Sequence, residues 1–432
     1  MIAVFILFLL ANLALLVPAS VFAIEVLAGA TRRGHAPAAL PGRRPGVAVL
    51  VPAHQEEAGI GETVTALRAQ LGPADRLLVV ADNCSDKTAA LARSAGAEVV
   101  ERRDPDRRGK GYALDFGVRH LEASPPEIVL IVDADCTLAA GAIDRLAVEA
   151  VASRRPVQGC YLMAVPPGGG IGMQVAEFAF LVKNRVRPAG LHRLGLPCHL
   201  TGTGMAFPWA VLRDADLAHG SLVEDMKLGL DLAMKGTAPR YCESARIHSY
   251  FPYSQTGAAT QRRRWEEGHL GLLALAFSRL PGALAARQPG SVALTLDILV
   301  PPLTLLLLFV GAAWLVTGAA TLMLGLPALA WVIASANLVL LLLALALAWH
   351  VFGRAVLPAR ALVLVVPYIL QKLRLYGRMA LGSRSRGALP ERARGGGCPA
   401  ARGRLHDDHA RLHPRLYRLY ARGLFTSGNR LF

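Results

Sequence analysis

The sequence predicts an α/β domain, a doubly wound mixed sheet whose first strands are parallel, tied to a membrane by helices on either side. Three observations lead there. From Gly46 to Ser153 short β-branched runs alternate with stretches of helical spacing, the pattern of repeated strand–helix–strand units. The run Val129–Val132 enters Asp133-Ala134-Asp135 directly, and the carboxyl edge of such a sheet is where ligands bind. Long apolar stretches at Met1–Ala30 and Ser291–Val366 lie outside this region.

Taken in order, Met1–Ala30 carries one charge, Glu25, and is long enough to span a bilayer. It lacks the basic start of a signal peptide, although Val21–Ala23 resembles a cleavage site. An uncleaved anchor is the reading adopted. Residues 31–45, rich in Arg, Pro and Gly, form a linker. Gly46–Pro52 is a first buried strand, and Ile60–Leu71 a helix with Ile60, Val64, Leu67 and Leu71 on one stripe. Arg76–Ala81, Glu98–Glu101 and Ile128–Val132 read as further strands; Lys87–Ala95, Gly111–Leu121 and Ala140–Ser153 read as helices. The G-x-G-x-x-G of dinucleotide-binding folds does not follow the first strand.

From Val157 the pattern becomes mixed. Ile171–Val186 and Val223–Lys235 read as helices, Leu200–Phe207 as a small-residue turn into a strand, and Pro239–Ile247 as a strand. The aqueous domain is therefore expected over 46–255, with an amphipathic helix at 256–290. Two spans, Leu294–Val316 and Pro327–Trp349, follow within 291–350, with Asp297 near the cytosolic end of the first. Residues 351–383 would hold an interfacial helix. The Arg-, Gly- and His-rich stretch 384–432 reads as a disordered basic tail or as an altered reading frame.

The charge of +16 and pI near 10.2 could suggest a nucleic-acid partner. The arginines, however, crowd beside the apolar spans, where they set topology and meet anionic lipid, and no nucleic-acid-binding signature accompanies them. Arg32, Arg33, Arg43 and Arg44 after the first span and Arg354 and Arg360 after the third place the domain in the cytosol of a multi-pass inner-membrane protein. The six cysteines show neither C-x-x-C nor zinc-ligand spacing.

Polar clusters mark the ends of these elements. Asp133 and Asp135 can face one hard cation that bridges diphosphate oxygens. His54-Gln55-Glu56-Glu57 follows the first strand, Asp82 ends the second, Glu224-Asp225 opens a helix, and Gln261–Trp265 sets arginines beside a large aromatic. Each has a plain explanation alone: a chance pair, a helix cap, a membrane-facing basic stripe. Their number and order argue for one site.

In Val51–Glu57, Asp82–Asp86, Gly109–Leu114, Asp133–Asp135, Glu224-Asp225 and Gln261–Trp265, the sequence resembles the membrane-bound family 2 glycosyltransferases with a GT-A-type domain. These include the cellulose, hyaluronan, chitin and poly-N-acetylglucosamine synthases. The resemblance implies that Ala53, Glu56 and Asp82 line the nucleotide, with Lys110 near its base or phosphates. Asp133 would position the donor, Asp135 would coordinate Mg²⁺ or Mn²⁺, and Arg264 would meet the diphosphate. Asp225 would be the general base, while Thr203, Gly204, Glu224, Gln261 and Trp265 would serve the acceptor. Cys198 is displaced from the cysteine these synthases carry at the acceptor turn, and Val223 stands where many have Thr.

The implied reaction is inverting transfer from a nucleotide sugar, UDP-linked by family habit, to a saccharide or lipid acceptor at the cytoplasmic face. Extension of a cell-envelope polysaccharide is the first reading and glycolipid synthesis the second. A non-catalytic synthase subunit is a third. Three spans are few for a pore, so a homo-oligomer or export partner would have to complete any channel.

Overall fold

The computed structural model describes residues 1–31, 43–218, 223–252, 255–365 and 367, with the backbone alone for 255–267, 269 and 270. Most of the expected linker and all of the expected tail lie outside these residues.

The short β-branched runs become strands of one eight-stranded mixed sheet. Its elements are β1 (Val47–Ala53), β2 (Arg76–Asp82), β3 (Glu98–Arg102), β4 (Ile128–Ile131), β5 (Thr137–Leu138), β6 (Val157–Ala164), β7 (Met205–Pro208) and β8 (Arg240–Tyr250), in spatial order β3-β2-β1-β4-β7-β6-β8-β5. The first four are parallel, with Val49 opposite both Leu77 and Leu130. β7 runs antiparallel between β4 and β6. Alternate residues of β1 enter two cores, as the two-residue period of a strand demands. Val47, Val49 and Val51 pack with Ile60, Val64 and Leu67 of α2 (Ile60–Arg68) and with Ile143 and Leu146 of α5 (Ala142–Ser153). Ala48 and Leu50 pack with Leu114, Val118 and Leu121 of α4 (Lys110–Leu121). α3 (Thr88–Ser94) completes the first half.

Beyond Val157 several elements differ from the sequence reading. Val157–Ala164, left as mixed pattern, is the buried strand β6, and pairing along β8 defines it. Ile171–Val186, read as one helix, is α6 (Ile171–Leu181), a π turn at Val182–Val186 and a continuation, α7 (Arg187–Arg193). Pro188 explains the π turn. It has no N–H for the carbonyl one turn back, and the Asn184 carbonyl accepts instead from the Tyr241 hydroxyl at 3.2 Å.

After the short α8 (Trp209–Leu212) come α9 (Glu224–Met234) and the long α10 (Gln255–Ala285). α11 (Pro289–Ile298) ends before Pro301-Pro302, so the expected span at 294–316 is displaced to α12 (Leu303–Leu324). Asp297 therefore lies outside the span. α13 (Leu329–Ala348) is the last long helix among the described residues, and α14 (Ala359–Leu362) lies within the expected interfacial segment, most of which falls outside them. Among the described residues three helices are long and apolar enough to cross a membrane: Ile2–Ala30 (α1), Leu303–Leu324 and Leu329–Gly353. Asn12 donates to Thr317 at 3.1 Å and Asn337 donates to the Asn12 carbonyl at 2.9 Å. Such bonds hold apolar helices together where burial of apolar surface supplies little force.

α1 is also part of the domain. Gly190 of α7 approaches it so closely that a Cβ would sit 1.9 Å from the Glu25 carbonyl oxygen. Beside this crossing Arg187 bonds Glu25 at 2.6 Å and Asp297 at 2.5 Å, and His199 lies 3.2 Å from Asp297. Against the cost of burial, Arg187 and His199 hold the Asp297 carboxyl far below the usual range. The charge that looked costly in a span is the centre of a buried ion cluster joining α1, α7 and α11.

Candidate active site

The loops that leave β1 and β2 at the carboxyl edge are laced together. Gln55, at a left-handed φ of 58°, donates to Ser85 Oγ at 2.7 Å and accepts from the Ser85 and Asp86 amides at 3.2 Å. The Glu56 amide donates to Thr88 Oγ1 at 2.8 Å. Ala53 closes β1, its carbonyl 3.5 Å from the Cys84 thiol. Asp82 is buried at the end of β2, and Arg102 Nη1 and Asn83 Nδ2 donate to its Oδ1 at 2.7 and 3.0 Å. Burial, then Asp135, Asp133 and Asp86, raise the Glu56 carboxyl to about 7. Glu56 thus lies within the field of the Asp-x-Asp turn.

That turn leaves β4 directly. The Asp133 amide donates to Thr203 Oγ1 at 3.0 Å, and the Asp133 carboxylate is paired with Lys110 at the start of α4. Lys110 also donates to the Gly202 carbonyl at 2.7 Å. Burial penalises its ammonium, but Asp133, Glu224 and Asp225 outweigh that and raise its pKa. Asp135 is open to solvent within the cleft, and desolvation by the cleft walls with the charge of Asp133 raises its carboxyl. Ligand atoms of Asp133, Asp135 and Cys136 lie within 4.8 Å of one another. Burial holds the Cys136 thiol well above its usual range, so it stays protonated and is a poor ligand. The two carboxylates remain as an oxygen site that fits a hard divalent cation.

Asp225 enters from the other side, on the first turn of α9. The Met226 amide donates to its Oδ1 at 2.7 Å. Burial, then Glu224, push its carboxyl up to about 6. Gly202 makes this approach feasible: at φ +88° it carries a conformation that L side chains rarely adopt, and a Cβ there would stand 3.3 Å from Asp225 Oδ2 and 3.5 Å from Lys110 Nζ. Lys110, Gly111, Glu224 and Asp225 share one small recess with Leu114, Met205, Leu217 and Leu228.

Asp133, Asp135, Lys110, Glu56, Glu224 and Asp225 are thus brought around one cleft, with Ala53 and Asp82 along its edge. Thr203 and Gly204 were expected to line an acceptor. Both are fully buried behind the Asp133 turn, where Thr203 braces the Asp133 amide and Gln158 donates to the Thr203 carbonyl at 2.9 Å. Gln261, Arg264 and Trp265 lie on α10, but their side chains fall outside the described residues.

Sequence reasoning missed two groups. Tyr161 on β6 bonds Ser249 at 2.8 Å and stands in the field of Asp135 and Asp133. Lys183 on the π turn stands in the field of Asp225. In the sequence Lys183 opens a basic run, Lys183-Asn184-Arg185-Val186-Arg187, after the apolar Phe178–Val182.

The family model for the glycosyltransferase-like family 2 matches residues 45–268. A glycosyltransferase of Mycobacterium tuberculosis is 36% identical over 196 residues, covering 40% of this chain and 85% of the relative. A 4,4'-diaponeurosporenoate glycosyltransferase of Staphylococcus aureus is 34% identical over 114 residues, 26% of this chain and 28% of that protein. Among solved structures, a mannosyltransferase from Pyrobaculum calidifontis, in complex with GDP-Man and Mn²⁺, superimposes with a TM-score of 0.52 at 21% identity, covering 81% of this chain and 98% of that one. That likeness establishes the GT-A-type fold. With the family model spanning more than half of the sequence, the chain belongs to glycosyltransferase family 2 and is a glycosyltransferase.

Proposed function

We propose that the chain transfers a sugar, with inversion, from a nucleotide sugar in the cytosol to a hydroxyl of an acceptor held at the membrane. The observation that carries this reading is the placing around one cleft of an oxygen site, Asp135 with the Lys110-paired Asp133, and a raised carboxyl on a separate helix, Asp225. Asp82 Oδ2 and Glu56 would receive the ribose and base. Lys110, held by Asp133 and the Gly202 carbonyl, would meet the phosphates together with Arg264. A bound Mg²⁺ or Mn²⁺ on Asp135 and Asp133 would neutralise charge on the leaving diphosphate. Mn²⁺ with GDP-Man in the Pyrobaculum enzyme supports testing both.

Asp225 would take the acceptor proton as the new bond forms, a contribution of roughly 10²–10⁴-fold. A carboxyl raised to about 6 is a stronger base than an ordinary one, yet is ionised at neutral pH. Direct attack opposite the leaving group inverts the anomeric carbon.

Single transfer to a membrane-held acceptor is supported by the three candidate spans, which close on one another through Asn12, Thr317 and Asn337. Polymer extension is the second reading, supported by Gln261–Trp265, and it would require a second copy or an export partner to complete a channel. The test is nucleotide release from UDP- and GDP-sugars by purified protein with Mn²⁺ or Mg²⁺, followed by sizing of the product. Transfer retained in both Asp225→Asn and Asp135→Asn would remove the assignment. A ladder of long products would favour extension.

A further inference from the structure

The turn at 201–203 touches both sides of the cleft. The Thr201 amide donates to Gln158 Oε1 at 2.8 Å, the Gly202 carbonyl accepts from Lys110 at 2.7 Å, and Thr203 Oγ1 accepts from the Asp133 amide at 3.0 Å. Gly202 also lies against Asp225, since a Cβ there would stand 3.3 Å from its Oδ2. Two residues before the turn is the buried His199. Its Nε2 lies 3.0 Å from the Leu294 carbonyl and 3.2 Å from Asp297 Oδ2, both on α11. Both neighbours are acceptors, so this nitrogen carries a proton and donates. The other ring nitrogen, Nδ1, is buried with no partner among the described residues.

α11 also supports the opposite side of the cleft. Leu294 gives its carbonyl to His199, while its side chain and that of Ile298 are buried with Met226, Leu230 and Ala233 of α9, the helix that carries Asp225 in its first turn. Leu200, next to His199, meets the same helix, 3.4 Å from where a Cβ at Gly229 would lie. Asp297, one turn beyond Leu294, is bound by Arg187 of α7, and Arg187 binds Glu25 of α1. A path of direct contacts therefore runs from α1 through Arg187, Asp297 and His199 to the turn that holds Lys110 and Asp133.

A buried imidazole with one nitrogen unpaired is a poor filler of space, because an apolar side chain would occupy the same volume without that cost. What an apolar side chain cannot supply is the directed bond to α11. We propose that His199 is a positioning residue for the transfer. It ties the turn at 201–203 to the ion cluster of Glu25, Arg187 and Asp297, so that the spacing of Lys110, Asp133 and Asp225 is set from the membrane anchor. The role rests on the proposed glycosyl transfer, in which those three groups meet the diphosphate, the metal and the acceptor hydroxyl. A displacement of about 1 Å at reacting groups can cost roughly 10²-fold in rate, so a loosened turn is read first in kcat.

The test compares full-length chains in nanodiscs, with Mn²⁺ and an active donor sugar, at a temperature well below the unfolding of every variant. His199→Leu keeps the bulk without the bond and should lower kcat about tenfold while the donor KM changes less than about threefold. His199→Gln carries an amide to the position of Nε2 and should bring kcat back to within about threefold of the unaltered chain. Glu25→Gln, at the membrane end of the path, should lower kcat by a smaller factor, about threefold. Leu67→Ala opens a cavity in the core under α2, away from the turn, and should lose stability with kcat unchanged. If His199→Leu does not fold, His199→Asn, whose amide ends short of the Leu294 carbonyl, takes its place with the same expected loss. A loss in kcat no larger than that of Leu67→Ala, no recovery in His199→Gln, an unmoved kcat in Glu25→Gln, or a rise in donor KM alone would overturn the positioning role. Absence of turnover by the unaltered chain with every nucleotide sugar offered would instead overturn the glycosyl-transfer reading on which it rests.

Discussion

Asp82, Asp133 and Asp135 sit where parallel strands end, within a continuous α/β stretch of sequence, and their partners Arg102 and Lys110 come from that same stretch. Asp225 and Arg187 come from helices of the later, mixed half: Asp225 meets Gly202 at the turn before β7, and Arg187 meets Glu25 and Asp297 far away in sequence. The first region, proposed for the donor, draws its ion pairs from its own strand–helix stretch, with Gly202 and Thr203 bracing it from the later half. The second, proposed for the acceptor, is assembled by packing the domain onto its own membrane helices. The difference teaches that the side proposed for the donor takes its ion pairs from one strand–helix module, while the side proposed for the acceptor needs the later segments to be anchored by packing.

The largest effect should come from breaking the acceptor side at its base. Asp225→Asn is expected to lower kcat by roughly 10²–10⁴-fold, while titration calorimetry finds nucleotide binding with Mn²⁺ intact. Asp135→Asn should strike the other region. It is expected to cost about 10²–10³-fold in turnover and to flatten the dependence of rate on Mn²⁺ concentration, which a metal titration reads. If the two variants failed in the same binding measurement, the division between the regions would be wrong.

Arg187→Met probes the anchoring. It leaves Glu25 and Asp297 buried without their cation, a loss of about 3–5 kcal/mol, so thermal unfolding in detergent should shift down sharply. Glu25→Gln, which removes one of the two acids, should shift it less. Gly202→Ala sits at the boundary of the two regions. A side chain at φ +88° costs roughly 1–2 kcal/mol, and crowding of Asp225 and Lys110 should lower kcat severalfold beyond the loss in stability.

The smallest effect is a pH dependence. Asp225 must be ionised to act, so the rate should rise with pH through about 6 and level above it. The raised value also means that the folded chain holds this proton more tightly than the unfolded one. Its contribution to stability is present below the ordinary carboxyl range and lost as pH rises through about 6. A rate profile lacking an inflection near 6 would argue against Asp225 as the base.

The parallel half was legible because its signals are local. A β-branched run ending in a carboxylate specifies both a strand and where its last side chain lies, and β1 to β4 appear within a residue or two of their expected bounds. β6 was not legible: Gln158 and Gly159 interrupt its apolar pattern, and pairing along β8 is what makes it a strand. Thr203 was expected at the acceptor by resemblance to an acceptor turn, and a resemblance carries position in the chain but not burial. Asp297 looked like a charge inside a span because hydropathy does not register that Pro301-Pro302 separates α11 from α12.

By itself, then, the sequence determined the alternating α/β order, the three apolar helices and the carboxylates at the strand ends, since each follows from backbone period and residue type over a few neighbours. Only the tertiary structure decided that Glu25, Arg187 and Asp297 form one buried cluster, that Thr203 stands behind Asp133, and that Gly202 lies against both Asp225 and Lys110. Those relations join residues up to hundreds of positions apart, and they exist because charge taken out of water must find its partner wherever the packed chain brings one.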